Sequence, residues 1–551
     1  MRMRSASQSP RHGPGAAPLT CAAAALSWRA SLRSPGHKFA SQGSLCSFAS
    51  AAAAADAAAD QPCSPRSLSA PHIPTPALLL VPSQVPRARS DALDLAFSSF
   101  LSSLTLSKGM ANLLSLGLLF SAGSSAISAA TTGGGLRGLC AAFLPWLLGT
   151  LLCPEAARDA AVLAALLAVC LALAWGSYAS MAAFAARYAG AGGSAAPPAS
   201  GSGSSGGSGS GAPPLSSHSV HVRSLLLRHL LCATSYLVFM VAFLASVTVS
   251  PLWACLGLIV AVCILLKIHS WTMTNVAMAR EAAAQGGGSG GGWPRNVNAG
   301  NFAYFLIAPT LVYESAYPRS PSIRPLFLLC KVLQGLATAV IGFWVLFNSV
   351  IPILSTPTPP ASLTVLPLNL QAPVAFLMDL TRLAMPSIVL WLCVFVGFFS
   401  CALGILAELC RFSDRCFYSA WWDVMSLGDF WTAWNLPIHV WCKRHLLLEL
   451  QAYMHLRKRG AVVATFFLSA VLHELILSTA FKTVRAYFFV AMCLQLPLIW
   501  LSRVADGGSS LGNTLVWVSL FCGQPVLELL YAREFLLQNG RTGRDLLCLA
   551  R

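Results

Sequence analysis

Residues 460–480 read GAVVATFFLSAVLHELILSTA, an apolar run that contains one histidine and one glutamate. About 20 apolar residues are enough to cross the hydrocarbon core of a bilayer as an α-helix. Comparable runs occur near residues 111–131, 160–186, 225–248, 252–268, 326–354, 384–409, 486–502 and 512–532. The sequence therefore predicts an all-α polytopic membrane protein with about nine transmembrane helices.

The composition of the 551-residue chain supports this prediction. Hydrophobic residues make up 56% of the chain and charged residues only 10%, whereas soluble domains are about one quarter charged. The formal net charge is +17, but the basic residues are scattered near helix ends. They do not form the single basic face that is typical of nucleic-acid binding. We therefore expect membrane lipids as partners and no nucleic acid.

Three segments differ in composition from the apolar runs. Residues 1–92 are rich in Ala, Ser, Pro and Arg, and we expect a disordered basic tail there. An organellar transit peptide is the alternative interpretation. Residues 190–216 and 284–293 are dominated by small residues, above all glycine, and predict flexible loop insertions. The rest of the chain, residues 93–551, is predicted to form the membrane domain.

Basic residues are concentrated in three of the predicted loops. These loops are 187–224, 269–325 and 410–459. The positive-inside rule places them in the cytosol, together with a cytosolic N-terminus. Lys482, Arg485 and the arginines near the C-terminus disagree with this topology.

No metal site is predicted from the sequence. The chain has 18 cysteines but no C-x-x-C pair, and many of the cysteines lie in apolar runs, where a free thiol behaves as a small hydrophobic side chain. His473 and Glu474 begin like the zinc motif H-E-x-x-H, but residue 477 is leucine. The second histidine ligand of that motif is therefore absent.

His473 and Glu474 are nevertheless unusual, because they lie inside a predicted transmembrane helix. A charge at this depth costs at least about 2.5–3.5 kcal/mol, and ionisable residues in such places are usually functional. A neutral histidine that is hydrogen-bonded in a packed interior is the alternative. Ser469, four residues earlier, shares the helix face of His473, whereas Glu474 lies on a different face.

A tryptophan-rich segment precedes this helix, with five tryptophans between residues 421 and 441. An aromatic belt at the membrane interface would explain part of this enrichment. Pro437 suits the first turn of a helix, so Asn435 is either a helix cap or a loop amide that points into the bundle. Gln495 and Gln524 each lie close to a proline in an apolar run, where an amide either joins helices or lines a cavity.

Taken together, these residues resemble the membrane-bound O-acyltransferases, and within them the type 1 diacylglycerol O-acyltransferases. The resemblance extends over about residues 265–536, with a weaker one at 93–131. Its most specific part is the acyl-CoA motif F-Y-x-D-W-W-N, which is matched by Phe417, Tyr418, Trp421 and Trp422. The chain departs from the family at Ala420, Asp423 and Leu447.

The resemblance implies a bundle of about nine transmembrane helices around a buried reaction chamber. It implies that His473 and Asn435 form the catalytic pair, with His473 as general base and no acyl-enzyme. The substrates would be fatty acyl-CoA and diacylglycerol, with no cofactor, and the product triacylglycerol. The residues implied in substrate binding are Phe417, Tyr418, Trp421, Trp422, Trp434, His439, Ser469, Glu474, Gln495 and Gln524.

The resemblance also implies a multi-pass protein of the endoplasmic reticulum membrane that forms a homodimer or homotetramer. A sterol O-acyltransferase is the nearest enzymatic alternative. A membrane transporter is the alternative outside the enzymes, although the chain shows no convincing internal repeat.

Overall fold

The computed structural model describes residues 154–193, 215–247, 249–284, 293–355, 368–505 and 511–539. Within these ranges, eight helices are long and apolar enough to cross a membrane. They are Ala157–Tyr188, Val222–Ser246, Pro251–Ala283, Pro325–Ser355, Gln371–Leu409, Lys458–Phe481, Tyr487–Val504 and Leu511–Gln538. The predicted all-α membrane fold is thereby confirmed. The predicted helix at 111–131, the tail 1–92 and most of both predicted insertions lie outside the described residues.

The helices are numbered here in chain order. They are α1 (Pro154–Gly193), α2 (Leu215–Ser246), α3 (Pro251–Ala284), α4 (Ala299–Ile307), α5 (Pro325–Val345), α6 (Ile351–Ser355), α7 (Leu368–Phe395), α8 (Leu403–Leu409), α9 (Leu427–Ala433), α10 (Leu436–Cys442), α11 (Leu448–Met454), α12 (Lys458–Phe481), α13 (Tyr487–Ala505) and α14 (Leu511–Asn539). Short π-helical segments join α5 to α6 (Leu346–Val350), α7 to α8 (Val396–Ala402) and α10 to α11 (Lys443–Leu447). Each of these pairs therefore runs as one continuous helix.

The helix that carries His473 lies between other long helices. α12 packs against α13 and α3, α13 packs against α14, and α14 packs against α7. The short helix α9 packs against both α13 and α14. These contacts bring the tryptophan-rich segment next to the helices that follow it in the chain.

Two transmembrane helices are longer than the hydropathy pattern predicts. α3 continues past residue 268, and the side chain of its Lys267 donates hydrogen bonds to the carbonyls of Phe305 and Ala308 at 2.9 and 2.7 Å. α7 begins well before residue 384, and its Asp379 forms an ion pair with Arg533 of α14. A sequence window counts these charges as a cost, but partners from distant segments satisfy them in the folded chain.

Candidate active site

His473 lies in the middle of α12, and its ring is half-buried against α13. The ring stacks on Phe488, with the ring centroids 5.1 Å apart and the planes at 7°. Nδ1 of His473 lies 2.7 Å from the carbonyl oxygen of Ser469 and 3.3 Å from its hydroxyl. The contact that the spacing of Ser469 and His473 predicts is thus present, and the ring is held from two sides.

The contact with Ser469 determines which nitrogen of His473 carries the proton. A carbonyl oxygen can only accept a hydrogen bond, so Nδ1 is the donor in the neutral ring. Nε2 then carries the lone pair. A neutral imidazole held in one tautomer is the form that a general base requires. Nε2 is therefore the atom of this side chain that can receive a proton.

Glu474 is directed to the start of α13. Its carboxylate accepts hydrogen bonds from three backbone N–H groups and two hydroxyls. The donors are Ala486 N–H (3.0 Å), Phe488 N–H (3.0 Å), Phe489 N–H (3.2 Å), Tyr531 O–H (2.7 Å) and Ser478 O–H (2.5 Å). The first N–H groups of a helix lack partners within the helix, and the helix dipole favours an anion there. Glu474 thus anchors the turn that presents Phe488 to His473.

Asn435 caps the short helix α10. Its Oδ1 accepts a hydrogen bond from the N–H of Ile438 at 3.2 Å, and Pro437 lies in the first turn. The first of the two expectations for Asn435, a helix cap, is confirmed. Because the oxygen is used by the cap, the NH2 group remains as a neutral donor. In the described part of the chain, no hydrogen bond joins Asn435 to His473.

The first half of the aromatic segment, residues 417–422, packs into the protein core. Phe417, Trp421 and Trp422 are 5%, 1% and 6% exposed. The ring of Trp421 lies edge-on to Trp391 of α7, with centroids 5.1 Å apart. Tyr418 packs at the margin of the same cluster. These four side chains of the motif hold helices together and do not form an exposed belt at the membrane interface.

The second half of the segment connects this core to α12 and α13. Trp431 and Trp434 are half-buried. The ring of Trp431 lies 6.3 Å from that of Phe466, which is on α12. The indole N–H of Trp431 donates to the side-chain oxygen of Gln495 on α13 at 3.4 Å. Gln495 thus joins two helices, one of the two functions that its position predicts.

Ion pairs to a buried glutamate fix the chain just before the aromatic segment. Glu408, at the end of α8, pairs with Arg324 at 2.9 Å and with Arg415 at 2.6 Å. Its side chain is 0% exposed. Because a buried carboxylate needs partners of opposite charge, removing both arginines would leave its charge uncompensated. The two ion pairs therefore fix residue 415 just before the motif begins.

The start of α14 fixes the chain that follows residues 421–423. The side-chain NH2 of Asn513 donates to the carbonyls of Trp422 and Val424 at 3.1 and 2.8 Å. A Cβ at Gly512 would lie 1.8 Å from the carbonyl oxygen of Met425. Only glycine allows the chain to approach this closely.

Residues 294–532 match the family model of MBOAT, the membrane-bound O-acyltransferase family. That range contains His473, Asn435 and the whole aromatic segment. This stretch of the chain is similar to the membrane-bound O-acyltransferase family.

Curated proteins that are similar to this chain are named diacylglycerol O-acyltransferase 1. The protein of Bos taurus is 33% identical over 319 residues, which cover 54% of this chain and 62% of the relative. The protein of Homo sapiens is 31% identical over 57% of this chain and 65% of the relative. That of Dictyostelium discoideum is 33% identical over 45% of this chain and 39% of the relative. The chain thus spans 39% to 65% of the length of these relatives.

Gln524 is part of a polar group that the sequence analysis missed. Its NH2 donates to Oε1 of Glu528 at 3.3 Å, and the hydroxyl of Ser387 on α7 donates to the same oxygen at 2.8 Å. The other carboxylate oxygen of Glu528 is buried without a partner among the described residues. A glutamate four residues after Gln524 in an apolar helix was an available indication of this group.

His439 lies one turn after Asn435 on α10 and is half-buried. Burial lowers the pKa of His439, and the charge of Lys443 lowers it further. The imidazole is therefore neutral at neutral pH. Phe417, Leu436 and Pro437 line a recess beside Asn435, whereas His473 is not in its lining.

Proposed function

We propose that the protein transfers a fatty acyl group from acyl-CoA to the free hydroxyl of diacylglycerol, producing triacylglycerol and CoA. The observation that carries this proposal is the 2.7 Å contact between Nδ1 of His473 and the carbonyl oxygen of Ser469, which leaves the lone pair on Nε2. The names of the curated relatives support the choice of the acyl acceptor.

In the proposed reaction, Nε2 of His473 takes the proton of the diacylglycerol hydroxyl as its oxygen attacks the thioester carbonyl. General base catalysis of this kind contributes about 10²–10⁴ in rate. The carbon–sulfur bond then breaks, and His473 returns the proton to the departing thiolate. The reaction proceeds without an acyl-enzyme and without a cofactor, because the base acts directly on the acceptor.

Asn435 is proposed to donate a hydrogen bond to the oxyanion that forms on the thioester carbonyl. Its NH2 group is available because the Oδ1 caps α10. A neutral donor in a site that excludes water contributes about 10²–10³ in rate.

The other residues of the candidate site are proposed to position His473 and the substrates. Glu474 holds Phe488 against His473, and the aromatic cluster around Trp421 keeps the helices in register. His439, Trp434 and Gln524 are proposed to line the path of the substrates. Ser469 orients the imidazole of His473.

The proposal is tested with the purified full chain, radiolabelled oleoyl-CoA and diacylglycerol. We expect labelled triacylglycerol from the wild type and a near-complete loss of it in His473→Ala. His455→Ala is the matched control, because it removes an exposed histidine outside the candidate site. Label retained on the denatured protein would reveal an acyl-enzyme and contradict direct transfer.

The acceptor is tested by competition between diacylglycerol and cholesterol at equal concentration. We expect triacylglycerol as the main product. Preferential formation of cholesteryl ester would assign the chain to sterol esterification, and no ester of either alcohol would refute acyl transfer.

We further propose that the protein resides in the endoplasmic reticulum membrane as a dimer or tetramer with a cytosolic N-terminus. An N-terminal tag should be accessible to antibody after selective permeabilisation of the plasma membrane. Light scattering in detergent measures the number of chains in the oligomer.

A further inference from the structure

A second group of titratable side chains lies where α3 meets the segment Leu436–Met454. His269 of α3, His445 of the π-helical segment and Glu449 of α11 place one ligand atom each within 4.8 Å of one another. Oε2 of Glu449 is 3.1 Å from Nε2 of His269, and Oε1 is 3.0 Å from Nδ1 of His445. His269 and Glu449 are 180 residues apart in the chain.

The second nitrogen of each histidine ring also has a partner. Nε2 of His445 lies 2.8 Å from the hydroxyl of Ser270, which accepts a hydrogen bond from the N–H of Tyr313. Nδ1 of His269 lies 3.1 Å from Nε2 of His229. In metal sites, a histidine ligand typically donates its other N–H to such a neighbour, which directs its lone pair to the ion. Both rings have the partner that this arrangement requires.

The charges of the cluster favour a cation. His445 is buried and Glu449 is half-buried. Neutral imidazole and ionised carboxylate are the forms that bind metals. The positive charge of Arg444 nearby is offset in part by Glu314.

We propose that His269, His445 and Glu449 bind one divalent transition-metal ion, with zinc as the best match. Two imidazoles and a carboxylate are a zinc donor set that keeps a fourth position for water. The ion joins α3 to the helical segment that begins after Asn435. It thus holds that segment in place without contacting the substrates.

The competing arrangement is a network without metal, in which both rings donate hydrogen bonds to Glu449. It places protons on Nε2 of His269 and Nδ1 of His445, the two atoms that would otherwise bind the ion. A measurement of metal content therefore separates the two arrangements directly.

The test uses the full chain, purified in detergent with any affinity tag removed, equilibrated with zinc chloride and then desalted. Elemental analysis should find about one zinc per chain. Cobalt in place of zinc should give the visible absorption bands of a four-coordinate site. His269→Phe, which preserves ring volume, and Glu449→Gln, which preserves shape, should each lower the bound zinc about tenfold or more.

The control is His455→Ala, which removes an exposed histidine from the same region of the chain. It should retain the zinc content of the wild type, as should His473→Ala. Zinc below about one tenth per chain in the wild type would overturn the proposal. Equal zinc in the wild type and His269→Phe would overturn it as well, because the bound ion would then be adventitious. His269→Phe remains decisive even if Glu449→Gln fails to fold.

Discussion

His473 and His445 belong to the same membrane domain, and each is at least half-buried, but they differ in their partners. His473 is bound through Nδ1 by Ser469 of its own helix, which leaves the lone pair of Nε2 for chemistry. His445 has both nitrogens engaged, by Glu449 and by Ser270. Burial alone therefore does not identify a catalytic histidine. The number of ring nitrogens that the fold itself occupies distinguishes a ring that can move a proton from one that holds helices together.

The largest expected effect comes from comparing the activity and the stability of two alanine variants. His473→Ala should reduce kcat about 10²–10⁴-fold and leave the thermal unfolding midpoint nearly unchanged. His445→Ala should lower stability, by about 1–3 kcal/mol for the buried partners that lose their hydrogen bonds. Initial rates of triacylglycerol formation and thermal unfolding in detergent measure the two effects. Equal losses of stability in both variants would abolish the distinction.

The second-largest effect is expected at Asn435. Two substitutions distinguish the role of its Oδ1 in capping α10 from the role of its NH2 group as a donor. Asn435→Asp preserves an oxygen that caps α10 but has no N–H, so kcat should fall about 10²–10³-fold at wild-type stability. Asn435→Ala removes both groups and should also cost about 1 kcal/mol of stability. Full activity in Asn435→Asp would restrict Asn435 to capping.

Glu474 should connect stability to activity through Phe488. Glu474→Gln places an NH2 donor among groups that are themselves donors, so the start of α13 should loosen. Hydrogen bonds to a charged group contribute about 1.5–3 kcal/mol each, and we expect a lower unfolding midpoint together with a smaller loss of kcat than in His473→Ala. Tyr531→Phe removes one of the five donors to Glu474 and should show a weaker form of both changes. A Glu474→Gln protein with wild-type stability would exclude the anchoring role.

His445 should also contribute a pH dependence to stability in the presence of a chelator. The pKa of His445 is about 4 in the folded protein, whereas an unfolded histidine has a pKa of about 6.5. The unfolded chain therefore binds the additional proton between these values, and stability should fall as the pH drops from about 6.5 to about 4. His445→Gln should reduce this slope in thermal unfolding experiments, and an unchanged slope would assign it to other groups.

The sequence predicted the transmembrane helices better than their ends. Hydrophobicity is a local property, so the apolar runs identified the spans without knowledge of the neighbours. The start of α7 lies before the predicted residue 384, and the charge of Asp379 in that part of the helix is satisfied by Arg533 of α14. No local window around Asp379 contains that partner.

In the candidate site as well, the sequence predicted the contacts within one helix better than those between helices. The placement of His473 and Ser469 on one helix face followed from the helical repeat, and the cap at Asn435 was one of two expectations. The five donors to Glu474 and the carboxylate of Glu528 beside Gln524 were not predicted. Most of these contacts join residues of different helices or turns.

The sequence by itself determined that this chain enters a membrane as a helical bundle with a histidine at membrane depth, because hydropathy and helical periodicity depend on neighbouring residues only. The tertiary structure decided that His473 has a ring nitrogen without a partner in the described part of the fold, whereas His445 lies in a cluster with Glu449 and His269. Hydrogen bonds and metal coordination depend on distances between atoms from remote segments, and only the packing of the helices determines those distances.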